Sequence, residues 1–350
     1  MIRNILICTT QVPFTTGGAE AHVAELQSAL TRAGYRTEVV ALPFRWYPPV
    51  EIMRSTLMWR LVNISESNGK PVDLVIGMKF PAYAVTHSRK VLWVIHQHRS
   101  AYNLWGTPFD DLSTYPDGPQ VREFIRHCDQ KFLPEAKKIF ANSKTVAQRL
   151  LDYNGLESET LYHPPPRAAR LFSGELGDYI FCPSRLEPQK RQDLLIQAMR
   201  YVSSPVKLIL AGSSSDLSDY ESLVSQHGLR DRVELQGFVS EERILELYAS
   251  ALAVAYIPFD EDYGYVTLEG MLAARPIIVA SDSGGAKEFI ENGLTGVVVD
   301  PEPQEIAAAI DELHGDRQCA LQLGQRAQQK IESLKLSWDN VVERIISAAT

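Results

Sequence analysis

Short unbroken apolar runs recur along this chain, each leading through a glycine-rich or polar turn into a stretch with helical spacing. Ile5-Leu6-Ile7-Cys8 opens the series, and Val39–Leu42, Leu74–Gly77, Val91–Ile95 and Lys138–Ala141 continue it. Runs without polar alternation are those of strands buried on both faces, and their alternation with helical stretches predicts a doubly wound parallel sheet. The first run passes through Thr9–Thr16 into Gly17-Gly18-Ala19-Glu20 and a helical stretch ending near Ala33. Ser143 caps a helix predicted over Thr145–Tyr153.

The pattern then stops at His163-Pro164-Pro165-Pro166, where three prolines remove three backbone donors and stiffen the chain. It restarts with Tyr179–Cys182, Val206–Ala211, Val233–Leu235, Leu252–Tyr256 and Ile277–Ala280. This predicts two Rossmann-like α/β domains facing each other across a cleft, 1–166 and 167–336. Helical spacing runs from Pro303 almost to the end, broken at Ser333–Ser337, so the segment 337–350 is expected to pack back onto the first domain.

Totals narrow the class. A chain of 350 residues suits two domains, with apolar and charged fractions ordinary for soluble proteins. Cys8, Cys128, Cys182 and Cys319 show no metal-ligand or disulfide spacing, pointing to a reducing cytosol. Neither a signal peptide nor a bilayer-spanning run is evident. Charge is uneven: 20 Lys and Arg face 15 Asp and Glu through Arg170, and 15 face 28 thereafter. A basic first half suits an anionic partner such as a membrane surface, with ordinary surface variation as the alternative. Nucleic acid is not among the expected partners.

The chemistry is expected where the second set of strands ends. Glu261-Asp262-Tyr263-Gly264-Tyr265-Val266-Thr267-Leu268-Glu269 follows an apolar run and leads into a helix. A glycine turn at a helix N-terminus seats anions, and carboxylates beside it suit sugar hydroxyls. Arg185 and Lys190, in Ser184–Arg191 after an earlier strand, offer a planar fork and a point charge to a diphosphate. Gly212-Ser213-Ser214-Ser215, Gly237-Phe238-Val239 and Ser283-Gly284-Gly285 add loops at the same edge, with Phe238 either a platform for a base or a core residue.

Together these motifs resemble the retaining family-4 glycosyltransferases of GT-B fold: Gly17-Gly18-Ala19-Glu20, Ser184-Arg185-Leu186 with Lys190, Leu235-Gln236-Gly237-Phe238-Val239, Glu261–Glu269, and Arg275–Val279 with Gly284-Gly285 and Glu288. The resemblance spans nearly the whole chain. It implies that Arg185 and Lys190 contact the donor's diphosphate, Glu269 the ribose hydroxyls and Glu261 the transferred sugar. The amides of Asp262, Tyr263, Gly264 and Tyr265 would lie around sugar and phosphate, with Gly17 and Gly18 lining the other domain's side. Ser184 departs from the family's usual glycine. The family's histidine after a first-domain strand falls on His96 or His98, with Arg99 on the acceptor side.

The activity implied is transfer of a hexose from a UDP-sugar to an acceptor hydroxyl, with a lipid-linked saccharide among the candidate acceptors and with retained anomeric configuration. Double displacement requires a carboxylate nucleophile. Since Glu261 is assigned to sugar hydroxyls, same-face attack through an oxocarbenium-like state is expected, Arg185 and Lys190 neutralising the leaving diphosphate. No cofactor and no metal are expected. A nucleotide-sugar epimerase and a noncatalytic sugar-nucleotide sensor are the alternatives. The segment Phe44–Leu61, mixing aromatic, apolar and basic residues, either touches a lipid surface or packs as an ordinary helix and loop.

Overall fold

The computed structural model describes residues 2–15, 17–213 and 217–350. The chain folds into two compact units, Met1–Pro166 with Ser337–Thr350, and Arg167–Leu336. Each is built on a six-stranded, wholly parallel sheet.

The first unit uses β1 (Asn4–Gln11), β2 (Arg36–Pro43), β3 (Leu74–Gly77), β4 (Lys90–Val94), β5 (Lys138–Ala141) and β6 (Glu159–Thr160), in the order β2-β1-β3-β4-β5-β6. The second uses β7 (Tyr179–Pro183), β8 (Lys207–Ala211), β9 (Val233–Gly237), β10 (Ala253–Ala255), β11 (Ile277–Ala280) and β12 (Gly296–Val299), in the order β9-β8-β7-β10-β11-β12. Each is a Rossmann-like α/β arrangement, as the apolar runs predict. β3 and β4 are buried throughout, whereas the edge strand β2 alternates between exposed and half-buried positions. The sequence reading passes over β6 and β12. Both are sheet edges, where incomplete burial weakens the apolar signal.

The cores follow from the same pattern. In the first unit, Ile5, Ile7, Leu74, Ile76 and Trp93 of the sheet pack with Val23, Leu26 and Leu30 of the helix Gly18–Arg32. Val341, Val342 and Ile345 of the terminal helix Trp338–Ala349 complete that cluster. Ser337 caps this helix through Asn340 N–H, so the polar break at Ser333–Ser337 is where one helix ends and the next begins. In the second unit Ile180, Leu208 and Leu210 face Leu195, Ile196 and Ile310.

A fully buried arginine closes the second core. Arg275, between the helix Tyr265–Leu272 and β11, donates to the carbonyls of Ala273 (3.0 Å), Ala251 (3.3 Å) and Gly174 (2.8 Å) and to Ser173 Oγ (2.7 Å). It thereby ties the segment before β7 to the centre of the sheet. Arg275→Met is expected to strand these acceptors and lower stability by roughly 3 kcal/mol or more. Urea unfolding of the whole chain measures the loss.

Candidate functional site

In the second sheet the chain order reverses between β7 and β10, and loops leaving strand C-termini at such a reversal frame the ligand crevice of open α/β sheets. The loops at this point are Ser184–Arg191, after β7, and Tyr256–Gly264, after β10. The sequence-predicted residues Ser184, Arg185, Lys190, Glu261, Asp262, Tyr263 and Gly264 therefore converge on one sheet edge.

Backbone bonds stitch the loops together. Phe259 N–H donates to Gln189 O (2.8 Å), and Gln189 Nε2 returns a bond to Phe259 O (3.0 Å). Asp260 and Glu261 N–H donate to Asp282 O (2.9 Å) and Ser283 O (3.2 Å), and Gly285 N–H donates to Glu261 O (2.7 Å). Arg191 fastens the corner from inside, with its guanidinium on Asp282 and on the carbonyls of Ile257 and Pro258. Gly264, at φ 83°, opens the helix Tyr265–Leu272 with no side chain capping it, and a Cβ there would lie 2.9 Å from Ala286 Cβ. Gly212 is forced by close approach, since a Cβ would stand 2.0 Å from Ser184 O. Ser214 and Ser215 lie outside the described residues.

Lys190 and Glu261 form an ion pair, both side chains largely buried, with Tyr256 Oη between them: 2.7 Å from Glu261 Oε2 and 3.2 Å from Lys190 Nζ. Burial alone pushes the Glu261 carboxyl up, but Lys190's charge and the Lys190 and Tyr256 hydrogen bonds hold it below its ordinary value. Asp262 N–H donates to Glu261 Oε1 (3.2 Å). Arg185 is more exposed and pairs with Glu187 at 3.0 Å. The two cations thus each have a carboxylate partner, which changes the picture of a bare positive pair. Asp260-Glu261-Asp262 is also a D-x-D triplet, a spacing that the expectation of metal independence overlooks. Its middle carboxylate is the one bound to Lys190.

The other glutamate has different surroundings. Glu269 is 2% exposed, with Arg167 Nη1 3.0 and 3.2 Å from its two oxygens and Tyr248 Oη donating at 2.8 Å. Its carboxyl is pushed up by burial, against the pull of Arg167 and Tyr248. So the two carboxylates, eight positions apart, answer to separate partner sets. Val266 rides the first turn of the same helix, and at the outer end of β9 Phe238 is 89% exposed, beside half-buried Val239. Phe238 is therefore a surface residue and not a core residue.

In the first unit the reversal falls between β1 and β3. Gly17 and Gly18 lie just past β1, Gly17 extended and Gly18 beginning the helix, and Lys79 after β3 pairs with Glu20 at 2.9 Å. His96 and His98 follow β4, and the structure tells them apart. His96 is half-buried, its Nδ1 donating to Gln97 O (2.7 Å). His98 is buried against Phe80, ring centroids 5.1 Å apart, and burial lowers it to about 4. Arg99 begins the short helical turn that follows.

Sequence reasoning missed Tyr256, Tyr248 and Arg167. Tyr256 read as the end of an apolar run, Arg167 fell at the start of the second domain with no role attached, and Tyr248 drew no reading. Only their tertiary neighbours reveal them.

Two Rossmann-like parallel-sheet units are the architecture of the GT-B fold. Residues 170–330 match the family described as glycosyl transferases group 1. An uncharacterized glycosyltransferase of Methanocaldococcus jannaschii is 35% identical over 167 residues, 47% of this chain and 42% of that protein. A GDP-mannose-dependent alpha-(1-6)-phosphatidylinositol monomannoside mannosyltransferase of Mycobacterium tuberculosis is 29% identical over 279 residues, 76% and 70% of the two chains. The crystal structure of Anabaena HepE in complex with UDP and glucose superposes with a TM-score of 0.67 at 19% identity, covering 99% of each chain. The chain spans about half or less of the length of the curated relatives it matches first, 42%, 54% and 31%.

A buried network stands behind the histidine loop. Gln97 bonds Asn154, Asn154 Nδ2 donates to Tyr102 Oη (3.2 Å), and Tyr102 and Tyr83 each donate to Asp129 at 2.7 Å. Burial pushes Asp129 up to about 7, despite the two tyrosine bonds. A raised carboxyl binds its proton more tightly in the folded state, so its stabilising contribution is full at low pH and falls as pH rises from about 4 to about 7. Asp129→Asn should therefore gain on the wild type as pH rises from about 5 to 8, read as the urea-midpoint difference at each pH.

Proposed function

We propose that this chain is a retaining glycosyltransferase that moves a hexose from a nucleoside diphosphate sugar, a UDP-sugar in the first instance, to an acceptor hydroxyl. The observation that carries the reading is the meeting, at the β7–β10 reversal, of Lys190, Tyr256 and Glu261 with the glycine-opened start of the helix Tyr265–Leu272. An uncapped helix start takes a phosphate through its amides and dipole. Lys190 adds a cation already oriented by Tyr256, and Arg185 a more exposed second one. In this reading the donor diphosphate competes with Glu261 for Lys190. Glu261, released, turns to hydroxyls of the transferred sugar.

Glu269 takes the ribose and Phe238 lies against the base, with Gly212 and Val239 beside it. Arg185 and Lys190 stabilise charge on the departing diphosphate, which accepts the acceptor's proton. His96, with its ring less enclosed than His98, positions the reacting sugar. Arg99 meets the acceptor. UDP is favoured by the UDP-bound structural neighbour, GDP by the mannosyltransferase relative, and the donor test has an arm for each.

Thermal melting with UDP, UDP-glucose, GDP and GDP-mannose should show a rise for one nucleotide pair, because a ligand that binds only the folded state stabilises it. Lys190→Ala is expected to weaken binding of that nucleotide and to slow transfer by about tenfold or more, or ~1.4 kcal/mol and upward. Melting of the ligand-free variant accounts for the pair broken at Glu261. No response to any nucleotide overturns the donor assignment. Acceptor-independent conversion of the sugar makes the chain an epimerase, and binding without turnover makes it a sensor. Product anomeric configuration by NMR decides retention.

We further propose that the acceptor is membrane-associated and that the first unit meets an anionic lipid surface. The helix Val50–Leu61 buries Ile52 and Trp59 yet leaves Val50, Arg54, Leu57, Met58 and Leu61 exposed along one stripe, flanked by Arg45. No helix among the described residues is long and apolar enough to cross a membrane. Co-sedimentation with phosphatidylglycerol vesicles in low salt should fall severalfold in a Leu57→Gln, Leu61→Gln variant. Wild-type protein left in the supernatant ends the idea.

A further inference from the structure

We propose that Arg167, the first residue of the second unit, is the positioning residue for the donor's ribose: its Nη1 reaches both oxygens of Glu269 and fixes the direction in which that carboxylate meets the ribose hydroxyls. The proposal rests on the reading of Glu269 as the ribose contact.

Arg167 Nη1 lies 3.0 Å from one oxygen of Glu269 and 3.2 Å from the other, while Tyr248 Oη donates at 2.8 Å to the second. Held from two elements, the carboxylate has its rotamer decided by its neighbours and keeps acceptor capacity for further hydroxyl donors. Arg167 is itself anchored, with Nε 3.0 Å from Glu241 Oε1 at the start of the helix Glu241–Ser250. Tyr248 lies on that same helix, its ring packed edge-on against Phe181 of β7, centroids 5.1 Å apart. So one helix orients both partners of Glu269, and β7 backs it.

Electrostatics give Arg167 a second task. The charged or titratable groups facing the carboxylate are Arg167 from the connector, and Tyr248 and Glu241 from the helix. Burial favours the neutral acid, Glu241 adds to that, and the Arg167 cation opposes it. Without Arg167 the carboxyl would hold its proton to higher pH, and a neutral acid accepts ribose hydroxyls less well. With Nη1 on Glu269 and Nε 3.0 Å from Glu241 Oε1, one guanidinium holds the carboxylate and the helix at once, which the single nitrogen of an ammonium does less well.

The experiment is calorimetric titration of the full chain with UDP, 2′-deoxy-UDP and 3′-deoxy-UDP from pH 5.5 to 8.5, with the guanosine series in parallel. The variants are Arg167→Gln, Arg167→Lys and Glu269→Gln. Wild type should prefer the ribonucleotide about tenfold over at least one deoxy analogue. Arg167→Gln should lose most of that preference and show its rise of affinity with pH displaced to higher pH than in the wild type, and Arg167→Lys should recover part of both. Should Arg167→Gln fail to fold, Arg167→Lys with an intermediate preference carries the test. Unchanged preference and pH profile in Arg167→Gln or Arg167→Lys overturn the proposal, as does a drop in affinity equal for all three nucleotides, the mark of a merely structural role. Undiminished preference in Glu269→Gln overturns the ribose reading itself, and this inference with it.

Discussion

Everything at the candidate site depends on one topological constraint, the reversal of strand order beside β7. Parallel strands deliver their C-terminal ends to one edge, and where the order reverses the adjoining loops diverge and leave room between them. In this unit the loops at that point are Ser184–Arg191 and Tyr256–Gly264, and the Lys190–Tyr256–Glu261 triad exists because those two loops are neighbours there. Residues 71 positions apart become an ion pair through sheet topology alone.

Around that reversal the second unit concentrates buried charge. Lys190 with Glu261, Arg167 with Glu269, and Arg191 with Asp282 are each shielded from water on at least one side. Desolvation makes such pairs poor contributors to stability, and breaking one leaves an uncompensated charge at a cost of roughly 3–5 kcal/mol. Their value lies in direction: a carboxylate held by an arginine and a tyrosine points one way. Arg275 is of another kind, a cation held by carbonyls and a hydroxyl, and its work is to close the core beneath the site.

How much of this was legible depends on the signal each feature leaves in the chain. Of the ten named apolar runs, eight are interior strands, where burial on both faces writes itself directly into composition, and two, β2 and β9, are edge strands that keep an apolar run though only partly buried. β6 and β12, half-buried at the edges, write almost nothing. Arg185, Lys190, Glu261 and Gly264 were expected on loops after strands, and the structure places them there. Tyr256, Tyr248 and Arg167 were not, because a tyrosine ending an apolar run and an arginine after three prolines carry no local mark of their partners. Phe238, with core and platform readings both open, needed its exposure measured in the fold.

The apolar runs and turn residues specified the two α/β units, the loops that leave their strand ends and the glycines that let those loops approach, since strand burial, turn residues and positive φ are local requirements. Which charges meet was left to the tertiary fold. It joined Lys190 to Glu261 and Arg167 to Glu269, enclosed His98 while leaving His96 half-open, and raised Asp129 among its tyrosines. Pairing, burial and proton affinity are properties of neighbours distant in sequence, and residue spacing does not encode them.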